Sequence, residues 1–207
     1  MVLNVNHLTL YRNQQAVISD LTFAIGGCQK FVLQGEIGSG KSTLLLALLG
    51  FVPLHSGEIN WFGKSCRQEA DFMPLRGNTV GICFQQADDQ LFGPTVLDDV
   101  AFGCLNQGKN KAESYQIALE QLEKLSITHL KDRPVNLLSG GEKNFTALAG
   151  VLAMQPKMLL LDEPTNGLDA KNKAKLTALL QALELPMLIA SHDLAFSEAL
   201  ADEVICL

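Results

Sequence analysis

Short runs in which apolar residues alternate with polar ones, or follow one another without a break, recur along the chain. They fall at Val2–Leu10, Val17–Ile25, Lys30–Gln34, Glu58–Phe62, Val80–Phe84, Met158–Leu161, Met187–Ala190 and Val204–Leu207, and each predicts a strand. Apolar residues recur at helical spacing at Tyr115, Ala118, Leu122 and Leu125, and again at Leu176, Leu179, Leu180 and Leu183. The early strands follow one another closely, whereas the later ones alternate with helices. That order predicts an α/β fold in which an antiparallel β subdomain leads into a parallel sheet. Between Ala87 and Gly150 no strand pattern is found, so residues 87–150 read as an inserted helical subdomain. Residues 1–86 and 151–207 form the remainder of a single domain. The polar patch Asn106–Lys111 reads as a loop between helices.

Composition narrows the function classes. With 207 residues the chain suits one domain with an elaboration. An apolar fraction of 47% against 18% charged excludes a disordered chain. At this size roughly 70% of the unfolded surface can be buried without disulfide staples. The net charge of −6 gives no support for nucleic-acid binding. Five scattered cysteines without a C-x-x-C pair point away from a disulfide framework or zinc site and towards a reducing compartment. The N-terminus lacks a signal-peptide pattern, and the most apolar stretch, Leu44–Leu54, is broken by Gly50 and Pro53 and is too short to span a bilayer. The expectation is a soluble protein whose membrane role, if it has one, runs through a partner.

The segment Gly35-Glu36-Ile37-Gly38-Ser39-Gly40-Lys41-Ser42 has the form G-x-x-x-x-G-K-[ST], with an apolar run (Phe31-Val32-Leu33) before it and a leucine-rich helix (Leu44–Leu49) after it. Glycines let backbone N–H groups turn inwards around phosphate oxygens, and the following helix presents its positive end. Lys41 is placed to reach the β- and γ-phosphates and the Ser42 hydroxyl to bind Mg²⁺, with Thr43 completing the nucleotide-binding set. Met158-Leu-Leu-Leu-Asp162-Glu163 is an apolar strand ending in two carboxylates. Parallel sheets hold ligands beyond the carboxyl ends of their strands, so Asp162 is placed to hold Mg²⁺ and Glu163 to activate water as a general base.

A third motif, Leu138-Ser139-Gly140-Gly141-Glu142, precedes an apolar helix (Phe145 to Met154) and lies shortly before the acidic strand. Ser139 is a natural N-cap, and the two glycines leave the helix start open to an anion. In this order and spacing the three motifs resemble ABC-type ATPases over essentially the whole length. The resemblance implies a P-loop NTPase core, ATP and Mg²⁺, and a nucleotide held between two copies, the phosphate loop of one facing Ser139–Glu142 of the other. By the same resemblance Tyr11 stacks on adenine and Gln85 senses Mg²⁺ and the attacking water. Gly167-Leu168-Asp169 is similar to the D-loop, and His192 to the switch histidine on the γ-phosphate.

The segment Phe84 to Gly103 and the run Ala149–Met154 resemble energy-coupling-factor ATPases, above all cobalt/nickel importers. This implies integral membrane transport subunits as partners, reached through Leu91 and Phe92 as apolar anchors and through Asp88 and Asp89 facing basic groups, at the cytoplasmic face of the cell membrane. Three positions depart from the family pattern: Ile37 for a small polar residue, Glu142 for glutamine, and Phe145 for a basic residue. The charge of Glu142 would stand near the γ-phosphate unless neutralised. The C-terminal extension of many such importers is expected to be absent. Other readings are a soluble ABC ATPase acting on ribosomes or DNA, a P-loop kinase, and a slow regulatory subunit. The transported substrate, a metal or a vitamin, is not written in these residues.

Overall fold

The computed structural model describes all residues, Met1–Leu207. Nine strands form two sheets, accompanied by seven α-helices. An antiparallel sheet in the order β2-β1-β4-β5 comprises β1 (Leu3–Arg12), β2 (Gln15–Ile25), β4 (Ser56–Trp61) and β5 (Lys64–Cys66). A parallel sheet in the order β6-β7-β8-β3-β9 comprises β3 (Lys30–Gln34), β6 (Val80–Cys83), β7 (Met158–Asp162), β8 (Met187–Ala190) and β9 (Glu203–Cys206). The helices are α1 (Lys41–Leu48), α2 (Glu69–Phe72), α3 (Val96–Asn106), α4 (Lys111–Lys124), α5 (Gly140–Ala153), α6 (Ala170–Ala182) and α7 (Leu194–Leu200). Helix α5 starts at Gly140, five residues before its apolar run, and the loop between α3 and α4 is shorter than its polar composition predicts.

The inner strands β3, β7 and β8 of the parallel sheet are buried on both faces, which is why they read as unbroken apolar runs. Side chains alternate between two cores with period two. Val32, Leu159, Leu161, Met187 and Ile189 join α3 to α7 in one core. Phe31, Leu33, Met158, Leu160, Leu188 and Ala190 join α1 and the antiparallel sheet in the other. Trp61 ties that second layer together: fully buried, it donates its indole N–H to the Leu48 carbonyl at the end of α1 (2.8 Å). No helix is long and apolar enough to cross a membrane.

Register decides what meets at the carboxyl edge. Cys83 pairs with Leu161, Asp162 with Ala190, and Ala190 with Leu33. The residues just past these partners, Gln85, Glu163, His192 and Gly35, therefore leave the sheet side by side.

Candidate functional site

The loop after β3 turns back on itself and enters α1 through Gly40, whose φ of 101° lies in the left-handed region that favours glycine. No side chain caps α1, so its first N–H groups remain available to an anion. At Gly35 a Cβ would stand 2.5 Å from Ser39 Oγ and 2.7 Å from the Leu207 carbonyl oxygen, so only glycine fits. The Lys41 ammonium, buried, donates to the Gly35 and Glu36 carbonyls (2.8 and 3.0 Å) and fixes the curvature of the loop. A cleft of about 400 Å³ opens above it, lined by Ile37, Gly38, Gly40, Lys41, Ser42 and Thr43 on one side and Gln85, Glu163 and His192 on the other. Ile37 stands at its rim, 95% exposed.

Glu163 follows the fully buried β7 with a φ of 47°, an unusual conformation for a residue with a side chain. Its N–H donates to the Ala190 carbonyl (2.8 Å), which holds the turn. One carboxylate oxygen, Oε2, lies 2.7 Å from His192 Nδ1 and accepts the His192 backbone N–H at 3.2 Å. The other, Oε1, lies 3.8 Å from Lys41 Nζ. Burial pushes the Asp162 carboxyl up from its ordinary pKa, opposed by the Ser42 hydroxyl and the Lys41 charge. Asp162 Oδ1 is buried without a hydrogen-bond partner. An orphaned carboxylate oxygen beside a serine hydroxyl is the donor set a hard divalent cation takes, so Ser42 and Asp162 fit Mg²⁺, with Gln85 across the cleft.

Ser139 and Glu142 form a reciprocal cap on α5. The Glu142 N–H donates to Ser139 Oγ (3.4 Å), and the Ser139 N–H donates to Glu142 Oε2 (2.7 Å). Glu142 Oε1 accepts from Arg133 Nη1 at 3.0 Å. The Ser139 N–H and hydroxyl, with Arg133 and His129, hold this carboxyl below its usual range. Arg133 thus supplies a counter-charge to Glu142. None of Ser139, Gly140, Gly141 or Glu142 lines the phosphate cleft of its own chain. Gly141 instead packs beside Leu168. Asp169 caps α6 by accepting the Asn172 N–H (2.7 Å). Phe145 is buried, with Lys175 Nζ 4.7 Å from its ring centroid, so a cation approaches this position from α6.

Tyr11 lies next to the cleft-lining Arg12, half-exposed, with its ring 4.4 Å from that of His55. Asp88 pairs with Lys143, whose Nζ lies 2.5 Å from its carboxylate, and its side chain stays 70% exposed. Asp89 lies in the same one-turn helix, Ala87–Asp89. Leu91 is half-buried, while Phe92 is 61% exposed and meets Phe102 edge-on, 4.5 Å between centroids. These two rings border a groove of about 340 Å³ that also takes Asp99 and Met154. Asp99 is only 9% exposed, accepts the Phe92 and Gly93 N–H groups (2.8 and 2.7 Å), and has no basic partner. Burial pushes its carboxyl up.

Arg12, Val17 and Asn166 line the phosphate cleft, and Arg133 and Lys143 pair with motif residues; none stood out in the sequence. Arg12 follows the aromatic Tyr11, which was the available hint. The others lie in turns or helices with no local pattern.

Comparison with known proteins fits this geometry. The family model described as "ABC transporter" matches residues 18–166. An ABC transporter ATP-binding protein of Haemophilus influenzae is 66% identical over 206 residues, covering 100% of this chain and 94% of the relative. The cobalt import ATP-binding protein CbiO of Rhodobacter capsulatus is 41% identical over 190 residues, covering 90% of this chain and 68% of its own length. Among solved structures, cbiO1 of Clostridium perfringens, described as part of the ABC transporter complex cbiONQ, superposes with a TM-score of 0.88 at 33% identity, over 99% of this chain and 84% of that one.

Proposed function

The chain belongs to the ABC transporter family of ATP-binding proteins, and from that membership we propose that it is the ATPase subunit of an energy-coupling-factor type importer for cobalt or nickel. The observation that carries the reading is the convergence of Lys41, Gln85, Glu163 and His192 on one cleft at the carboxyl edge of the parallel sheet. As a member of this family the chain is an ATPase.

In this reading Lys41 and the loop N–H groups of 35–43 bind the β- and γ-phosphates, and Tyr11 stacks on adenine. Ser42, Asp162 and Gln85 would hold Mg²⁺, which would supply charge neutralisation at the phosphates. Glu163 accepts the proton of the attacking water, and His192 fixes Glu163 and contacts the γ-phosphate. Ser139–Glu142 complete the site of a second copy, and Asp169 lies on the same face; the separation of this motif from its own cleft supports that. Residues 87–150 serve as the signature-bearing helical part and 1–86 with 151–207 as the nucleotide-binding core. The groove beside Phe92 receives a membrane subunit at the cytoplasmic face, with a basic side chain opposite Asp99, whose buried charge lacks a cation.

The metal assignment is supported by the cobalt import ATP-binding protein CbiO of Rhodobacter capsulatus. The test is ATP-driven uptake of labelled cobalt and nickel into vesicles carrying this chain with the membrane proteins that co-purify from its host. Uptake of either metal that stops in a Glu163→Gln complex is the expected result. Uptake of a vitamin, and of neither metal, overturns the metal assignment while leaving the importer reading intact.

A further inference from the structure

Helix α5 carries a negative side chain in its first turn, on the end that the composite-site reading brings to a triphosphate. Both oxygens of Glu142 are engaged, Oε2 by the Ser139 N–H (2.7 Å) and Oε1 by Arg133 (3.0 Å). The Arg133 backbone is anchored independently: its N–H donates to the Leu130 carbonyl (2.8 Å) and its carbonyl accepts the Val96 N–H at the start of α3 (3.0 Å). Pro134 follows and stiffens the exit from this turn. Glu142 is the one carboxylate within ion-pair distance of Arg133. Arg133 is 47% exposed and Glu142 28%, and a pair this open adds little to folding stability. Its effect is on local charge instead. When two copies close and water leaves the interface, an unpaired Glu142 would face phosphate oxygens across a medium of lower dielectric, where repulsion is stronger.

We infer that Arg133 is a positioning residue of the composite ATP site, neutralising Glu142 so that the start of α5 in one copy can approach the triphosphate bound at Lys41 of the other. The inference rests on the proposed pairing of Ser139–Glu142 with a second copy's phosphate loop. It gives the glutamate at this position a built-in counterion, and it makes Arg133 needed only while residue 142 is charged.

The test uses the full chain in a Glu163→Gln background, with Mg·ATP-driven dimerisation followed by sedimentation and ATP affinity of the monomer followed with a fluorescent analogue. Arg133→Ala is expected to raise the ATP concentration for half-dimerisation by about tenfold, with monomer affinity unchanged within about twofold. Arg133→Lys should retain most of the dimerisation. Combining Arg133→Ala with Glu142→Gln should restore it to within about threefold of Glu142→Gln alone. Dimerisation of Arg133→Ala at the parent's ATP concentration overturns the inference. So does a double variant as weak as Arg133→Ala, which would make Arg133 a direct phosphate contact or a fold element. A parent that binds ATP but never dimerises overturns the composite-site reading and the inference together, whereas failure confined to the Arg133 variants leaves that reading standing.

Discussion

His192 Nδ1 lies 2.7 Å from Glu163 Oε2, so the ends of two neighbouring parallel strands share one hydrogen bond directly above the phosphate loop. The histidine backbone N–H reaches the same oxygen at 3.2 Å, which leaves that carboxylate little freedom to rotate. A carboxylate held in this way is already oriented for proton transfer before substrate arrives.

Glu163→Gln keeps size and hydrogen bonding but cannot accept a proton, so ATP turnover should fall by about 10²–10⁴-fold while ATP still binds. His192→Ala should reduce turnover by about 10²-fold, because Glu163 then loses its tether. Steady-state phosphate release with a parallel binding titration checks both. Wild-type turnover in Glu163→Gln would assign the base elsewhere.

Lys41→Ala removes the ammonium that curves the loop and should abolish hydrolysis. Gly141→Asp places a carboxylate on α5 and should block closure without touching that ammonium. A mixed dimer of the two variants carries both lesions at one site and neither at the other, so activity should recover towards one intact site per dimer. Recovery is measured by mixing the purified variants, alone and with the membrane partner. Mixed dimers that form and stay inactive would place Ser139–Glu142 in their own chain's site.

Asp162 is the case where function works against stability. Its folded pKa is raised by burial, so its ionisation is penalised in the folded chain. Below the unfolded value of about 3.9 both states are protonated and no penalty exists. As pH climbs through that value and then the folded pKa, stability is lost, and it stays lost at neutral pH without a cation. Asp162→Asn should raise the nucleotide-free Tm at neutral pH by about 2 °C or more and remove the further rise that Mg·ATP gives. Calorimetry at pH 4 and 7 decides it: the gain should shrink at the lower pH.

At the groove, Phe92→Ala together with Asp99→Asn should weaken co-purification of membrane subunits by about tenfold or more, with ATP affinity unchanged. Pull-down from native membranes with the parent chain and the double variant reads this directly. Full retention of the subunits would move the docking surface elsewhere.

The sequence was most legible where burial was most complete. Strands Lys30–Gln34 and Met187–Ala190 are apolar on both faces, so their limits coincide with the pattern. Strand β5, Lys64–Cys66, was missed because only Cys66 of its three residues is buried, at the sheet edge. The start of α5 was legible because Ser139 reads as an N-cap, and the structure begins the helix at Gly140 with the reciprocal Ser139–Glu142 cap. The phosphate loop, Asp162, Glu163 and His192 were readable because each sits at or just past a strand end. The pairs Lys143–Asp88 and Arg133–Glu142 were not, since 55 residues separate the first and a one-turn helix and a proline turn the chain between the second.

The alternation of side chains through β3, β7 and β8 governs how the molecule comes apart. Peeling away the helical layer would expose Val32, Leu159, Leu161, Met187 and Ile189 at once, each fully buried or nearly so. At about 2 kcal/mol per side chain that is on the order of 10 kcal/mol, comparable with the entire net stability of a typical domain. Neither layer can melt and leave the other standing. The chain should therefore unfold as one cooperative unit, with calorimetric and van't Hoff enthalpies in agreement, and the amides of the buried strands β3, β7 and β8, which carry the site at their ends, should be among its slowest to exchange.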